Sequence, residues 1–155
     1  MAESSDIDIA ASHRYFSVEC FNLAWDLIDK SDRTPDENDQ MVRLSQTSLW
    51  HWTQRSDCTP TNLSIGYWQI SRIYALLGQA GISRHYAQLS LSASQKGTVP
   101  PFYLAYAHEA LARAAAVGGN TLEMANHIKQ AKILAERVSD AESKNQLLND
   151  LATIK

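Results

Sequence analysis

The chain has 155 residues, 45 % of them apolar and 20 % charged. That balance excludes a disordered or low-complexity polymer, and a chain of this length can bury a core without disulfides. The net charge of −3 is split: residues 1–40 hold ten acids (Glu3 and Asp6 among them) against three bases, and residues 41–155 seven acids against eleven bases. Acids gathered near helix starts account for such a bias, since they complement the helix dipole; an acidic arm is the other reading. Eight bases spread over residues 41–134 form no concentrated stripe, so nucleic acid is not an expected partner. No run approaches the ~18 apolar residues of a membrane span, and MAESSDIDIA has no basic region leading into an apolar run. Cys20 and Cys58 stand at no disulfide or metal spacing, so a reducing cytoplasm is the expected location.

A first helix is predicted over about residues 6–30, with Val18, Phe21, Trp25 and Ile28 as its apolar stripe and Cys20 a small buried residue beside Phe16, Leu23 and Leu27. Thr34-Pro35-Asp36-Glu37 supplies a cap hydroxyl, a first-turn proline and a capping-box glutamate for a second helix, 35–56. There Trp52 lies with Leu49 and Ser45. Trp50, about 200° further round, lies with Arg43, Thr47 and Gln54, so it is either covered by another helix or a partner contact. Thr59-Pro60 opens a third helix, 60–79, with the stripe Leu63, Tyr67, Ile70, Tyr74 and Leu77. A fourth, 82–96, carries Ile82, Tyr86, Leu89 and Ala93. Pro100-Pro101 opens a fifth, 100–117, whose alanines around Leu104, Ala107, Leu111 and Ala114 suit close packing in the interior. Gly118-Gly119 ends it, and Asn120 with Glu123 caps a sixth, 121–137. Ser139 with Glu142 is the predicted cap of the last helix, 140–153, which buries Leu148 and Leu151. No segment alternates apolar and polar residues as a strand does. The fold is expected to be all-α, its short connections making successive helices antiparallel neighbours.

Motifs that carry chemistry are missing from the sequence. His108-Glu109 begins like a zinc-protease helix, but Ala112 stands where the second histidine belongs. The five histidines (His13, His51, His85, His108, His127) show no ligand spacing along the chain. Gly78-Gln79-Ala80-Gly81 lacks the lysine of a phosphate loop, and no serine elbow occurs. Asp36, Glu37 and Asp39 read as a helix start rather than a calcium loop. No cofactor and no metal are expected, and the chain is not expected to be an enzyme.

Internal repetition points further. At an offset of 41, Tyr67 falls on His108, Ile70 on Leu111, Ser71 on Ala112, Arg72 on Arg113 and Gly78 on Gly119. The strings Tyr67-x2-Ile70-Ser71-x2-Tyr74 and His108-x2-Leu111-Ala112-x2-Ala115, with a weaker copy Cys20-x2-Leu23-Ala24-x2-Leu27, resemble the tetratricopeptide repeat (TPR), a helix–turn–helix of about 34 residues. The wider pattern resembles bacterial helical-repeat proteins. Ser83 and Met124 replace the usual early alanine of the second helix, and the Gly97–Pro101 linker lengthens the period.

The resemblance implies a single domain over residues 1–155. Helix pairs at about 6–56, 60–96 and 100–137 would stack as a short superhelix, capped by the helix at 140–153. It also implies a groove along the first helix of each repeat, lined here by Ile65, Trp68 and Arg72, then Tyr106, Glu109 and Arg113. Two aromatics and two arginines suit a peptide or a partner helix, an acidic one included. Glu109 and Arg113 equally suit a self-satisfied pair on a solvated surface. A homodimer through the groove or through Trp50 is the alternative. A small-ligand or catalytic site gathered from scattered residues such as His51, His85 and His108 is the third.

Overall fold

The computed structural model describes residues 7–155. Seven helices run in chain order among them, with no strand: α1 (Ile9–Ile28), α2 (Pro35–Thr53), α3 (Pro60–Leu76), α4 (Ala80–Ser94), α5 (Pro101–Val117), α6 (Thr121–Ala135) and α7 (Ala141–Ala152). Contacts divide the chain into two compact units, one ending at Cys58 and one spanning Thr59–Lys155. The expected start of the first helix at residue 6, and the acids Glu3 and Asp6, lie outside the described residues.

Helix starts follow the local chemistry. Thr34 accepts from the Glu37 amide while the Glu37 carboxylate accepts from the Thr34 amide, closing the expected capping box. Thr59 and Asn62 form the same reciprocal pair at the start of α3. Asn120 caps α6 by accepting from the Glu123 amide. The last helix corrects the expectation, because Asp140, not Ser139, accepts from the Ser143 amide. A carboxylate at that position also carries the charge that the positive end of the helix favours.

Helix ends explain the offset of 41. After α3, Gly78 adopts φ +71°, its amide donates to Ala75 O and the Gln79 amide to Tyr74 O. After α5, Gly119 adopts φ +74°, its amide donates to Ala116 O and the Asn120 amide to Ala115 O. Both turns are the same Schellman closure, which needs a left-handed residue and so selects glycine.

In the first unit α1 and α2 pack as an antiparallel pair. The buried face of α1 is Ser17, Cys20, Ala24 and Ile28, and that of α2 is Met41, Ser45, Ser48 and Leu49. Cys20 is buried as expected, and burial pushes its thiol pKa up. Val18, expected inside, is exposed. Small residues occupy the contact line because Ser48 Oγ reaches the Ser17 carbonyl on the facing helix at 2.6 Å, an approach that bulky side chains would prevent. Arg33 closes the pair's far end, its Nη1 donating to the terminal carbonyls of Leu27 and Ile28.

In the second unit α3–α4 and α5–α6 are antiparallel pairs, α5 also packs on α3, and α7 packs on α5 and α6. The α3–α4 seam is again small. Ser64 bonds Ser90 and Ser94, Ser71 exchanges hydroxyl–carbonyl bonds with Ser83, and Ala87 is wholly buried. Ile82, expected on the inner stripe of α4, is exposed, and Ser83 takes its place. The alanine-rich α5 is the most enclosed helix, and Ala105, Tyr106 and Ala112 join Ala131, Leu134, Leu147, Leu151 and Ile154 in one core.

Candidate partner-binding face

Five of the six residues singled out in this unit, Trp68, Arg72, Tyr106, Glu109 and Arg113, touch one another. The bond that ties them crosses the repeat offset, since Trp68 Nε1 donates to Glu109 Oε2 at 2.8 Å. Arg113 Nε donates to Glu109 Oε1 at 2.7 Å, and Arg72 Nη1 reaches the same oxygen at 3.3 Å. Three donors from α3 and α5 thus meet one carboxylate that is 0 % exposed. Glu109 and Arg113 are therefore not a pair on a solvated surface: Glu109 is interior, and the expectation of a solvent-facing pair is corrected. The carboxylate is worth burying because each oxygen is occupied by a donor and two of the donors are cations.

The network runs on into α7. Tyr106 OH donates to Asp150 Oδ2 at 2.6 Å, and Arg113 Nη2 donates to the Asp150 carbonyl at 3.2 Å and to Thr153 Oγ1 at 3.0 Å. Burial, with the Asp150 carboxylate beside it, pushes the Tyr106 phenol pKa far up, so Tyr106 stays a neutral donor. The ring of Tyr106 meets Trp68 edge-on at 5.3 Å and Phe102 edge-on at 4.9 Å. Asp150 and Thr153 belong to no repeat copy, so the sequence alignment gave no reason to include them.

Accessibility sorts the residues. Glu109 and Tyr106 are buried and shape the face from beneath. Ile65, Trp68, Arg72 and Arg113 are half-buried and border it. Arg72 stands apart, since its Nε is buried with no acceptor although its Nη1 is spent on Glu109. Burial and the neighbouring Arg113 lower the Arg72 pKa, opposed by Glu109 and Asp150.

In the first unit Trp50 is 55 % exposed and sits in a cluster of rings. His13 meets Trp50 at 5.4 Å and His51 at 5.0 Å, Phe16 lies 5.4 Å from His51, and Tyr15 meets Phe16 edge-on. Trp50 is thus not covered by another helix of its own unit. Trp52, by contrast, is stacked under the Arg55 guanidinium at 3.8 Å.

Histidines pair across helices rather than gathering in a triad. His13 Nδ1 lies 2.8 Å from His51 Nδ1, and His108 Nδ1 lies 3.0 Å from His127 Nδ1. His85 packs edge-on against Tyr86. Among the described residues no group of three or more His, Cys, Asp or Glu is arranged to hold a metal ion, and no helix is long and apolar enough to cross a membrane. Cys58 is half-buried, with burial raising its thiol pKa and Arg55 opposing the rise. Comparison with known proteins finds no family model that matches the chain, and no matching curated protein or solved structure.

Proposed function

We propose that the chain is a non-enzymatic, TPR-like protein-interaction module that takes up a peptide or partner helix on the face where α3, α5 and α7 lie side by side. The observation that carries this reading is Arg72. Its guanidinium is fixed at one nitrogen by Glu109, while its Nε is a donor without an acceptor. That nitrogen is enclosed, but the side chain as a whole is 21 % exposed, so an incoming carboxylate meets the outer edge of the guanidinium and adds charge-assisted bonds there. Half-buried Ile65 and Trp68 supply apolar area beside it. The favoured ligand is therefore a segment with an acidic side chain or a free C-terminal carboxylate. Panning a library of peptides displayed with free C-termini tests this. The reading expects enrichment of acid-bearing ends that is lost on Arg72→Ala. An absence of enrichment, or the same peptides on the variant, rejects it.

Self-association is the second reading, favoured by the exposed Trp50 with Tyr15 at 58 % and Phe16 at 43 % exposure beside it. Light scattering across a dilution series decides it. A dimer that dissociates on Trp50→Ala supports the reading, and a monomer at all concentrations rejects it.

A further inference from the structure

We propose that His108 and His127 form a two-imidazole site for a late divalent transition-metal ion, clipping α5 to α6. The two Nδ1 atoms face each other at 3.0 Å from adjacent helices. Zinc–imidazole bonds of about 2.0–2.1 Å at a tetrahedral angle set two nitrogens about 3.3 Å apart, so the rings need to part by roughly 0.3 Å to admit the ion. Without a metal, one of the two nitrogens must carry the proton and the other accept it. With a metal, both lone pairs point at the ion and both protons sit on Nε2.

The surroundings prepare that second state. Glu123 Oε1 lies 3.8 Å from His127 Nε2, the ring nitrogen opposite the convergent one; this is beyond hydrogen-bond range, and the negative charge there favours placing the proton on Nε2. Glu123 is itself held, by Arg84 through contacts of 2.6 and 2.8 Å and by the Asn120 amide group at 3.0 Å. Two Nδ1 atoms at hydrogen-bond distance cannot both carry a proton, so at least one ring already presents the lone pair a metal ligand needs. Imidazole nitrogens favour copper(II), nickel(II) and zinc over magnesium or calcium. The two protein ligands leave the remaining positions to water. Because the ligands are 19 positions apart and on different helices, no spacing along the chain announces them.

The test uses the full chain with zinc(II) and copper(II) chloride as probes. Zinc added to isotope-labelled protein at pH 7.5 should shift the Nδ1 resonances of both His108 and His127, a readout that needs no variant. His127→Gln, a change at a residue whose side chain is 22 % exposed, should remove one equivalent of bound copper while the protein stays folded. Glu123→Gln should weaken binding about tenfold. Unshifted Nδ1 resonances at saturating zinc overturn the proposal. So does an unchanged copper stoichiometry in His127→Gln, which places the ion at the His13–His51 pair or elsewhere.

Discussion

Replacing Glu109 with glutamine keeps the shape of the side chain and removes its charge. The amide oxygen can still accept from Arg72 and Arg113, which share Oε1. The new amide nitrogen then faces the Trp68 indole N–H, which donates to Oε2 at 2.8 Å in the native protein. Two donors oppose each other in a site with no water access, a loss of about 1–3 kcal/mol. Arg72 and Arg113 also lose the counter-charge between them, and breaking a buried ion pair from one side costs about 3–5 kcal/mol in total. Both arginine side chains keep some water contact, at 21 % and 14 % exposure, which puts the expected loss at the lower end, about 3 kcal/mol. For a chain of this length that lowers Tm by roughly 6–12 °C. Urea and thermal melts followed by far-UV circular dichroism and tryptophan fluorescence measure it. A double-mutant cycle with Arg72→Met should return a coupling of about 1–3 kcal/mol. A loss below about 1 kcal/mol, with no coupling, would show that the carboxylate does not hold the face together.

Three further outcomes follow from the packing. Burial lowers the pKa values of His51, His108 and His127, so the unfolded chain takes up protons before the folded one does. Stability should be level above about pH 7 and fall as pH drops through about 6.5 towards the lowered folded values, and a urea midpoint unchanged between pH 7.5 and 5.5 would contradict this. Ser83→Val should cost about 1–3 kcal/mol by urea unfolding, because Ser83 is 0 % exposed against Ser71 on the facing helix; a neutral result would mean the α3–α4 seam has room. Gly119→Ala should cost about 1–2 kcal/mol from backbone strain alone, since φ is +74° and nothing lies within 4 Å of the added carbon; a stabilising effect would refute the left-handed turn.

The parts of the fold legible in the sequence are those decided within one turn of helix. The Thr34–Glu37 box, the Thr59 cap and the two glycine turns depend on residues three or four apart, and each is where the pattern puts it. The inner faces of α1 and α4 were less legible. Periodicity weighs bulky apolar residues, whereas helices that approach closely select serine and alanine, which left Val18 and Ile82 outside. Trp68 and Glu109, which stand 41 positions apart, are joined directly by a hydrogen bond. The repeat alignment does not disclose that Glu109 is interior, because the donors and acceptors around Arg113 and Tyr106 are completed by Asp150 of α7 and by Thr153 just after it. The histidine pairs join different helices and so leave no mark in local spacing.

The central claim is that Arg72, anchored through Nη1 on Glu109, offers the exposed edge of its guanidinium to a carboxylate. Nitrogen–proton correlation spectra resolve arginine Nε–H groups directly, so the Arg72 signal can be followed while the best-enriched acid-ended peptide is added. The account predicts a downfield shift of the Arg72 Nε–H with the Trp68 indole signal perturbed beside it, and no such shift with the same peptide amidated at its C-terminus and stripped of acids. An Arg72 Nε–H that stays in place while the peptide binds would contradict it.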